Sequence, residues 1–78
     1  MAAPDVEIQY CVPCGHLTRA MDIQKSLLEH FGQRVAGVRL KTGDGGTFKI
    51  WVNGDEIYDK SQEFNLDAIK DRISQAAA

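Results

Sequence analysis

The sequence has only two cysteines, too few for the disulfide framework that holds small secreted domains together. It has no apolar run near the roughly 18–20 residues that cross a bilayer, and its first residues lack the basic and apolar regions of a signal peptide. The formal net charge of −2 does not suggest a nucleic-acid partner, which would need a basic face. We therefore expect a cytoplasmic protein that binds neither nucleic acid nor membrane.

No internal repeat, low-complexity tract or linker divides the chain, and 78 residues suffice for one modest core. We interpret residues 1–78 as a single domain with an ordered core over about 5–76. Alternating apolar and polar residues predict strands at 6–10, 35–42 and 48–52. The hairpin signal Asn53-Gly54 then leads into a short fourth strand around Ile57 and Tyr58.

Apolar residues at helical spacing predict two helices. The first ends at Gly32, and Asn65 is the N-cap of the second. The predicted core-facing residues are Leu17, Ala20, Met21, Leu27, Leu28 and Phe31 in the first helix, and Leu66, Ile69, Ile73 and Ala76 in the second. The resulting order of elements is βαβββα.

Polar residues at every second strand position argue against a sheet that is covered on both faces. We expect a two-layer α+β fold, in which a four-stranded mixed sheet carries both helices on one face. The covered face comprises Val6, Ile8, Tyr10, Val38, Leu40, Phe48, Ile50 and Val52, with Ala36 on the same side of its strand. The open face comprises Glu7, Gln9, Arg39, Lys41, Lys49 and Trp51.

Both cysteines lie in one CxxC motif between the first strand and the first helix. A bridge from Cys11 to Cys14 closes so short a loop that redox chemistry explains the pair better than stabilisation. A helix N-terminus favours a thiolate at Cys11, and Cys14 can then resolve a mixed disulfide. Pro13 suits the first helical turn, and Val12 and Gly15 complete the predicted redox loop.

Structural thiols and half of a zinc site are the alternatives for this pair. Zinc takes four ligands, and the only other ligands of the usual kind are His16 and His30. We expect His16 to be a solvated polar residue and His30 to lie near the surface at the end of the helix. No metal and no permanently bound organic cofactor are expected.

A CxxC that follows a strand and opens a helix resembles the thioredoxin-like redox motif. In that fold the loop entering the third strand faces the CxxC, so Gly46 and Thr47 are expected to contact a bound thiol or peptide. Trp51 on the open face would be a partner surface or a weak homodimer contact. Alternatively, its ring packs along the stems of Lys49 and Arg39.

The run 6–15 resembles the opening of the selenoprotein W-like (Rdx) family, which includes relatives of selenoproteins T and H. Residues 46–54, followed by Ile57 and Lys60, are similar to that family's third-strand and hairpin segment. The resemblance covers nearly the whole chain. It implies a thioredoxin-like fold and a redox role that is often linked to glutathione.

Two positions depart from the patterns of these relatives. Thr47 stands where thioredoxins have a cis-proline, and Cys14 stands where selenium-containing members have selenocysteine. The selenocysteine position favours Cys14 as the attacking residue, whereas expected exposure and the helix dipole favour Cys11.

Two functions follow from these expectations. The first is thiol–disulfide exchange with protein thiols or disulfides and with glutathione, either as an oxidoreductase or as a protein that reacts stoichiometrically. The second is a redox-sensitive interaction module that docks a partner through the open sheet face or the CxxC loop.

Overall fold

The computed structural model describes residues 3–77, so Met1, Ala2 and Ala78 of the predicted domain lie outside the described residues. The elements are β1 (Asp5–Cys11), α1 (Leu17–Phe31), a 3₁₀ turn (Gly32–Arg34), β2 (Gly37–Gly43), β3 (Phe48–Val52), β4 (Asp55–Asp59) and α2 (Leu66–Ala77). The predicted order βαβββα is confirmed. Within the described range, neither helix is long and apolar enough to cross a bilayer.

The four strands form one mixed sheet in the order β2-β1-β3-β4. The central strand β1 runs parallel to β2, with Val6 opposite Val38, and antiparallel to β3. A β-bulge between Ile50 and Trp51 interrupts the antiparallel pairing of β3 with β4. The crossover through α1 therefore joins two neighbouring parallel strands, as the predicted βαβ unit requires.

One apolar core lies between the sheet and the two helices. It comprises Val6, Ile8, Tyr10, Ala20, Ile23, Leu27, Phe31, Val35, Val38, Phe48, Ile50, Val52, Tyr58, Ile69 and Ile73. On the opposite sheet face Arg39 and Lys41 are exposed and Trp51 is half-buried. The expected two-layer α+β architecture is confirmed.

The turns and caps follow from individual residues. Asn53 and Gly54 adopt φ angles of 53° and 86°, as a tight hairpin requires, and Asn53 Oδ1 also accepts a hydrogen bond from the Asp5 N–H at 2.9 Å. Asn65 Oδ1 accepts a hydrogen bond from the Ala68 N–H at 3.2 Å, which confirms the predicted N-cap of α2. Gly32 ends α1 with a φ of 55°, also as predicted.

The residues of α1 that are buried differ from the predicted ones. Leu17, Met21 and Leu28 are exposed by 45%, 51% and 40%, whereas Ile23 is buried. The apolar arc of this helix is wider than the surface that the sheet can cover, and the helix is rotated so that Ile23 faces the core. The unused part of the arc remains in solvent.

The predictions that two alanines face the core are also wrong. Ala36 is exposed and lies outside the sheet pattern, because β2 begins only at Gly37. Its N–H bonds to the Pro4 carbonyl at 2.8 Å. Ala76 is exposed in the last turn of α2, beyond the buried Ile73.

Candidate active site

Cys11 is the last residue of the central strand, and the sheet fixes its position. It pairs with Gly43 at the end of β2, and the following N–H, of Val12, donates to the Gly43 carbonyl at 3.0 Å. The parallel ladder therefore extends one residue beyond β1. The backbone of Cys11 is thus held within the hydrogen-bonded sheet.

The chain then folds back through a tight turn. The Gly15 N–H donates to the Val12 carbonyl at 3.1 Å, and Gly15 has a φ of 76°. The turn brings the Cα atoms of Cys11 and Cys14 to 5.3 Å, and a disulfide joins the two residues. Val12, Pro13 and Gly15 are all exposed on this loop.

The two sulfur-bearing residues have different surroundings. Cys11 is completely buried, with an exposed fraction of 0%, whereas Cys14 is exposed. The Gly46 N–H lies 3.2 Å from Cys11 Sγ and donates to it. A backbone donor at this distance stabilises negative charge on the buried sulfur.

The expected support from the helix N-terminus is wrong. The left-handed φ of Gly15 is incompatible with a right-handed helix, so α1 begins only at Leu17. Pro13 accordingly lies in the preceding turn and not in the first helical turn. The exposure expected for Cys11 is also wrong, since the exposed partner is Cys14.

The loop before β3 brings a second group of residues to Cys11. Gly46 has a φ of 77°, and a Cβ placed on it would lie 2.8 Å from Lys60 Nζ. A Cβ on Gly43 would lie 2.7 Å from Thr47 Cγ2, so Gly43 leaves the space for Thr47. The Thr47 N–H donates within the loop, to the Asp44 carbonyl at 3.3 Å. Of the two predicted loop residues, Gly46 is therefore the one whose N–H donates to Cys11.

Lys60 is the residue that reasoning from the sequence missed. It follows β4, and its ammonium group lies over Gly46, beside the amide that donates to Cys11. The only signal in the sequence was its place in the segment that resembles the Rdx family.

His16 is half-buried between the CxxC loop and the core, not solvated as expected. Its ring meets Phe48 edge-on at 5.9 Å, and its buried Nδ1 has no hydrogen-bond partner among the described residues. His30 is exposed at the far end of α1, with its ring 4.7 Å from that of Phe31. Within residues 3–77 no three His, Cys, Asp or Glu side chains cluster as metal ligands would.

This chain has a thioredoxin-like fold that carries a CxxC cysteine pair. A mutant thioredoxin from Halobacterium salinarum superposes with a TM-score of 0.59 over 99% of this chain and 77% of its own, at 15% identity. At that identity, the likeness concerns the fold alone.

Closer relatives define the family. The model of the Rdx family matches residues 5–75, so the chain belongs to this family. A crystal structure from Bordetella parapertussis is 32% identical with a TM-score of 0.87, covering 95% of this chain and 98% of that one. A selenoprotein W-related protein from Vibrio cholerae is 27% identical with a TM-score of 0.89, covering 96% and 98%. No curated protein matches the sequence at a significant level. The resemblance inferred from the motifs is thereby confirmed.

Proposed function

We propose that this protein performs thiol–disulfide exchange, with Cys14 as the sulfur that meets the partner and Cys11 as the buried resolving residue. The observation that carries the proposal is the difference between the two cysteines. Cys14 is exposed, whereas Cys11 Sγ is buried and accepts the Gly46 N–H at 3.2 Å. Exchange requires one accessible sulfur and one stabilised leaving thiolate, and this arrangement supplies both.

The reaction begins with a thiolate that attacks Cys14 Sγ. The bond between the two protein sulfurs breaks, and its electron pair remains on Cys11 Sγ as a thiolate that the Gly46 amide stabilises. A second thiolate attacks the partner's sulfur in the mixed disulfide and releases Cys14. Two thiols are thus oxidised to one disulfide while the protein disulfide is reduced to a dithiol, and the reverse sequence oxidises the protein.

Glutathione and protein thiols or disulfides are the proposed partners. A small thiol reaches Cys14 without rearrangement of the fold, because the residue lies on an exposed turn. The proposed location is the cytoplasm, where glutathione keeps such pairs cycling.

Single-cysteine variants and oxidised glutathione test this assignment. In Cys11→Ser, Cys14 is expected to accumulate a stable glutathione adduct, because the resolving sulfur is absent. In Cys14→Ser, Cys11 is expected to react much more slowly because it is buried. Intact-mass spectrometry with thiol trapping follows both reactions.

The wild-type protein provides the control in the same assay. In glutathione buffers of graded potential we expect the protein to lose two hydrogen atoms as the dithiol becomes the disulfide and oxidised glutathione is reduced, with a midpoint between roughly −180 and −270 mV. Faster adduct formation in Cys14→Ser than in Cys11→Ser would reverse the assignment. A wild-type pair that stays reduced at every potential would reject exchange altogether.

Docking through the open sheet face has less support. Lys41 Nζ lies 5.8 Å from the centroid of the Trp51 ring, and the ring is only half-exposed. A lysine that covers an aromatic ring in this way favours packing within the chain over a free partner surface.

A further inference from the structure

Four exposed apolar side chains lie in the redox loop and along one face of α1, and we term them the apolar stripe. Its members are Val12, Leu17, Met21 and Leu28, with exposed fractions of 52%, 45%, 51% and 40%. Leu17, Met21 and Leu28 are separated by four and seven residues on α1. At about 100° per residue, they fall within an arc of roughly 40° on one face of the helix.

The fold does not account for the stripe. Another face of the same helix packs against the core. Its buried residues are Ala20, Ile23, Leu27 and Phe31. Polar residues at the stripe positions would keep the core contacts and avoid apolar surface in water. Exposed apolar side chains that share one helix face and are not used by the core are typical of a surface that binds a partner.

The position of the stripe indicates which partner covers it. Val12 precedes Cys14 in the redox loop, and Leu17 opens α1 three residues after Cys14. A molecule that presents a sulfur to Cys14 therefore approaches over the end of the stripe. Along the chain, the stripe therefore begins within three residues of the exposed sulfur.

Glutathione is too short and too polar to cover the apolar stripe, whereas a larger substrate can cover it. The eleven-residue step from Leu17 to Leu28 spans about 16 Å along the helix axis. Glutathione is a charged tripeptide, about 10 Å long when extended, and it can neither cover this length nor offer apolar side chains along it. A polypeptide with apolar residues beside its cysteine can do both.

We propose that the substrate class is a polypeptide disulfide flanked by apolar side chains, which docks on the apolar stripe while its sulfur reacts with Cys14. This inference rests on the proposed exchange function and specifies its substrate. Glutathione then reacts at Cys14 without engaging the stripe, so the two classes of partner should respond differently to changes in α1.

The experiment compares three disulfides as oxidants of the reduced wild-type protein. They are oxidised glutathione and two symmetric disulfides of short capped peptides, one with leucine on both sides of its cysteine and the other with serine. In each reaction the protein dithiol becomes the Cys11–Cys14 disulfide, and the oxidant becomes two thiols. Chromatography of the thiol products gives the second-order rate constants.

The variants Leu17→Gln and Met21→Gln make the stripe polar with little change in helix propensity. Glu29→Gln is the matched control, because Glu29 is exposed on α1 but lies outside the stripe arc. Circular dichroism and thermal melting establish that each variant is folded before its rates are compared.

We expect the wild-type protein to oxidise faster with the leucine peptide than with the serine peptide. Met21→Gln should lower the ratio of the leucine-peptide rate to the glutathione rate by about five-fold, as expected for the loss of one buried apolar contact. Leu17→Gln should act in the same direction, and Glu29→Gln should keep the wild-type ratio.

Equal rates with the two peptides, or an unchanged ratio in both stripe variants, would overturn the inference while leaving exchange intact. A dimer that Met21→Gln dissociates, together with equal peptide rates, would assign the stripe to a second copy of this chain and overturn it as well. A wild-type protein that reacts with none of the three disulfides would reject the exchange function itself.

Discussion

In the proposed exchange, Gly46 is the residue on which the reactivity of the buried sulfur depends most directly. Its N–H donates to Cys11 Sγ at 3.2 Å, and its φ is 77°. An added Cβ would be strained at this φ and would lie 2.8 Å from Lys60 Nζ. The flexible Lys60 side chain can move aside, so the strain at this φ is the reason that we expect a side chain here to shift the loop and weaken the hydrogen bond.

Gly46→Ala should consequently lower the reduction potential, because the Cys11 thiolate of the reduced state loses its donor. The loss of one hydrogen bond to a charged acceptor costs about 1.5 kcal/mol, which corresponds to about 30 mV. The potential is measured by equilibration in glutathione buffers with thiol trapping.

Gly45→Ala is the matched control for this change. Gly45 has a φ of 66°, so alanine carries a similar backbone strain there, yet its Cβ would meet no atom within 4 Å. The control should keep the wild-type potential. If both alanine variants shift it equally, strain in the loop and not the Gly46 amide sets the potential.

At this scale the sequence permitted only part of the site to be predicted. The cysteine pair follows from its spacing, and Gly46 from the place of its loop in the fold. The burial of Cys11 did not follow, because it depends on how far the strand pairing with β2 continues. The position of Lys60 depends on the bulge between Ile50 and Trp51, which shifts the register of β4.

At the scale of elements, α1 illustrates what periodicity can and cannot predict. Helical spacing identified an apolar face, and Ala20, Leu27 and Phe31 are indeed buried. It did not identify which side of that face meets the sheet, and Met21 was assigned to the core in place of Ile23. The rotation of a helix about its axis is set by packing against the sheet, which no local pattern contains.

The turn after β4 is held by the side chain of Asp59. Its Oδ1 accepts the Ser61 N–H at 2.9 Å, and its own N–H donates to Gln62 Oε1 at 3.0 Å. The hydrogen bond from the Ser61 backbone is the largest cause that lowers the pKa of Asp59 below its usual 3.8, and Lys49 and Lys60 also contribute. The carboxylate form thus stabilises the folded turn.

A lowered pKa in the folded state predicts a specific dependence of stability on pH. The contribution of Asp59 is complete above about pH 5 and is lost as the pH falls through the folded-state pKa. Asp59→Asn should therefore lower the free energy of unfolding at neutral pH, and the difference from wild type should shrink in acid. Urea denaturation across this pH range measures it, and a difference that is constant with pH would contradict this role.

At the scale of the whole molecule, the core and the redox loop are connected through Phe48. This buried ring contacts His16 edge-on at 5.9 Å and Tyr58 at 6.3 Å, and the Arg19 guanidinium lies 4.6 Å from its centroid. The layers and the order of elements were predictable because they follow from alternation along the strands. The contact of His16 with Phe48 was not predictable, since it depends on where the CxxC turn ends and α1 begins.

Stability of the whole chain should depend only weakly on the redox state of the cysteine pair. Because the two cysteines are separated by 3 positions, their bridge restricts the unfolded chain by only about 2 kcal/mol. A thermodynamic cycle links this stabilisation to the redox equilibrium. The free energy by which the disulfide stabilises the folded protein equals the free energy by which folding favours the disulfide over the dithiol. A stabilisation of about 2 kcal/mol therefore displaces the potential by only about 40 mV from that of the unfolded chain.

Denaturant unfolding of the oxidised and reduced protein tests this relation, and we expect the oxidised form to be more stable by no more than about 2 kcal/mol. Cys14→Ala should unfold alike with and without reductant, which separates the disulfide from other effects of the reagent. A difference of about 4 kcal/mol or more would lower the potential by a further 40 mV or so. It would contradict the weak dependence expected here, because it would exceed what the closure of so short a loop contributes.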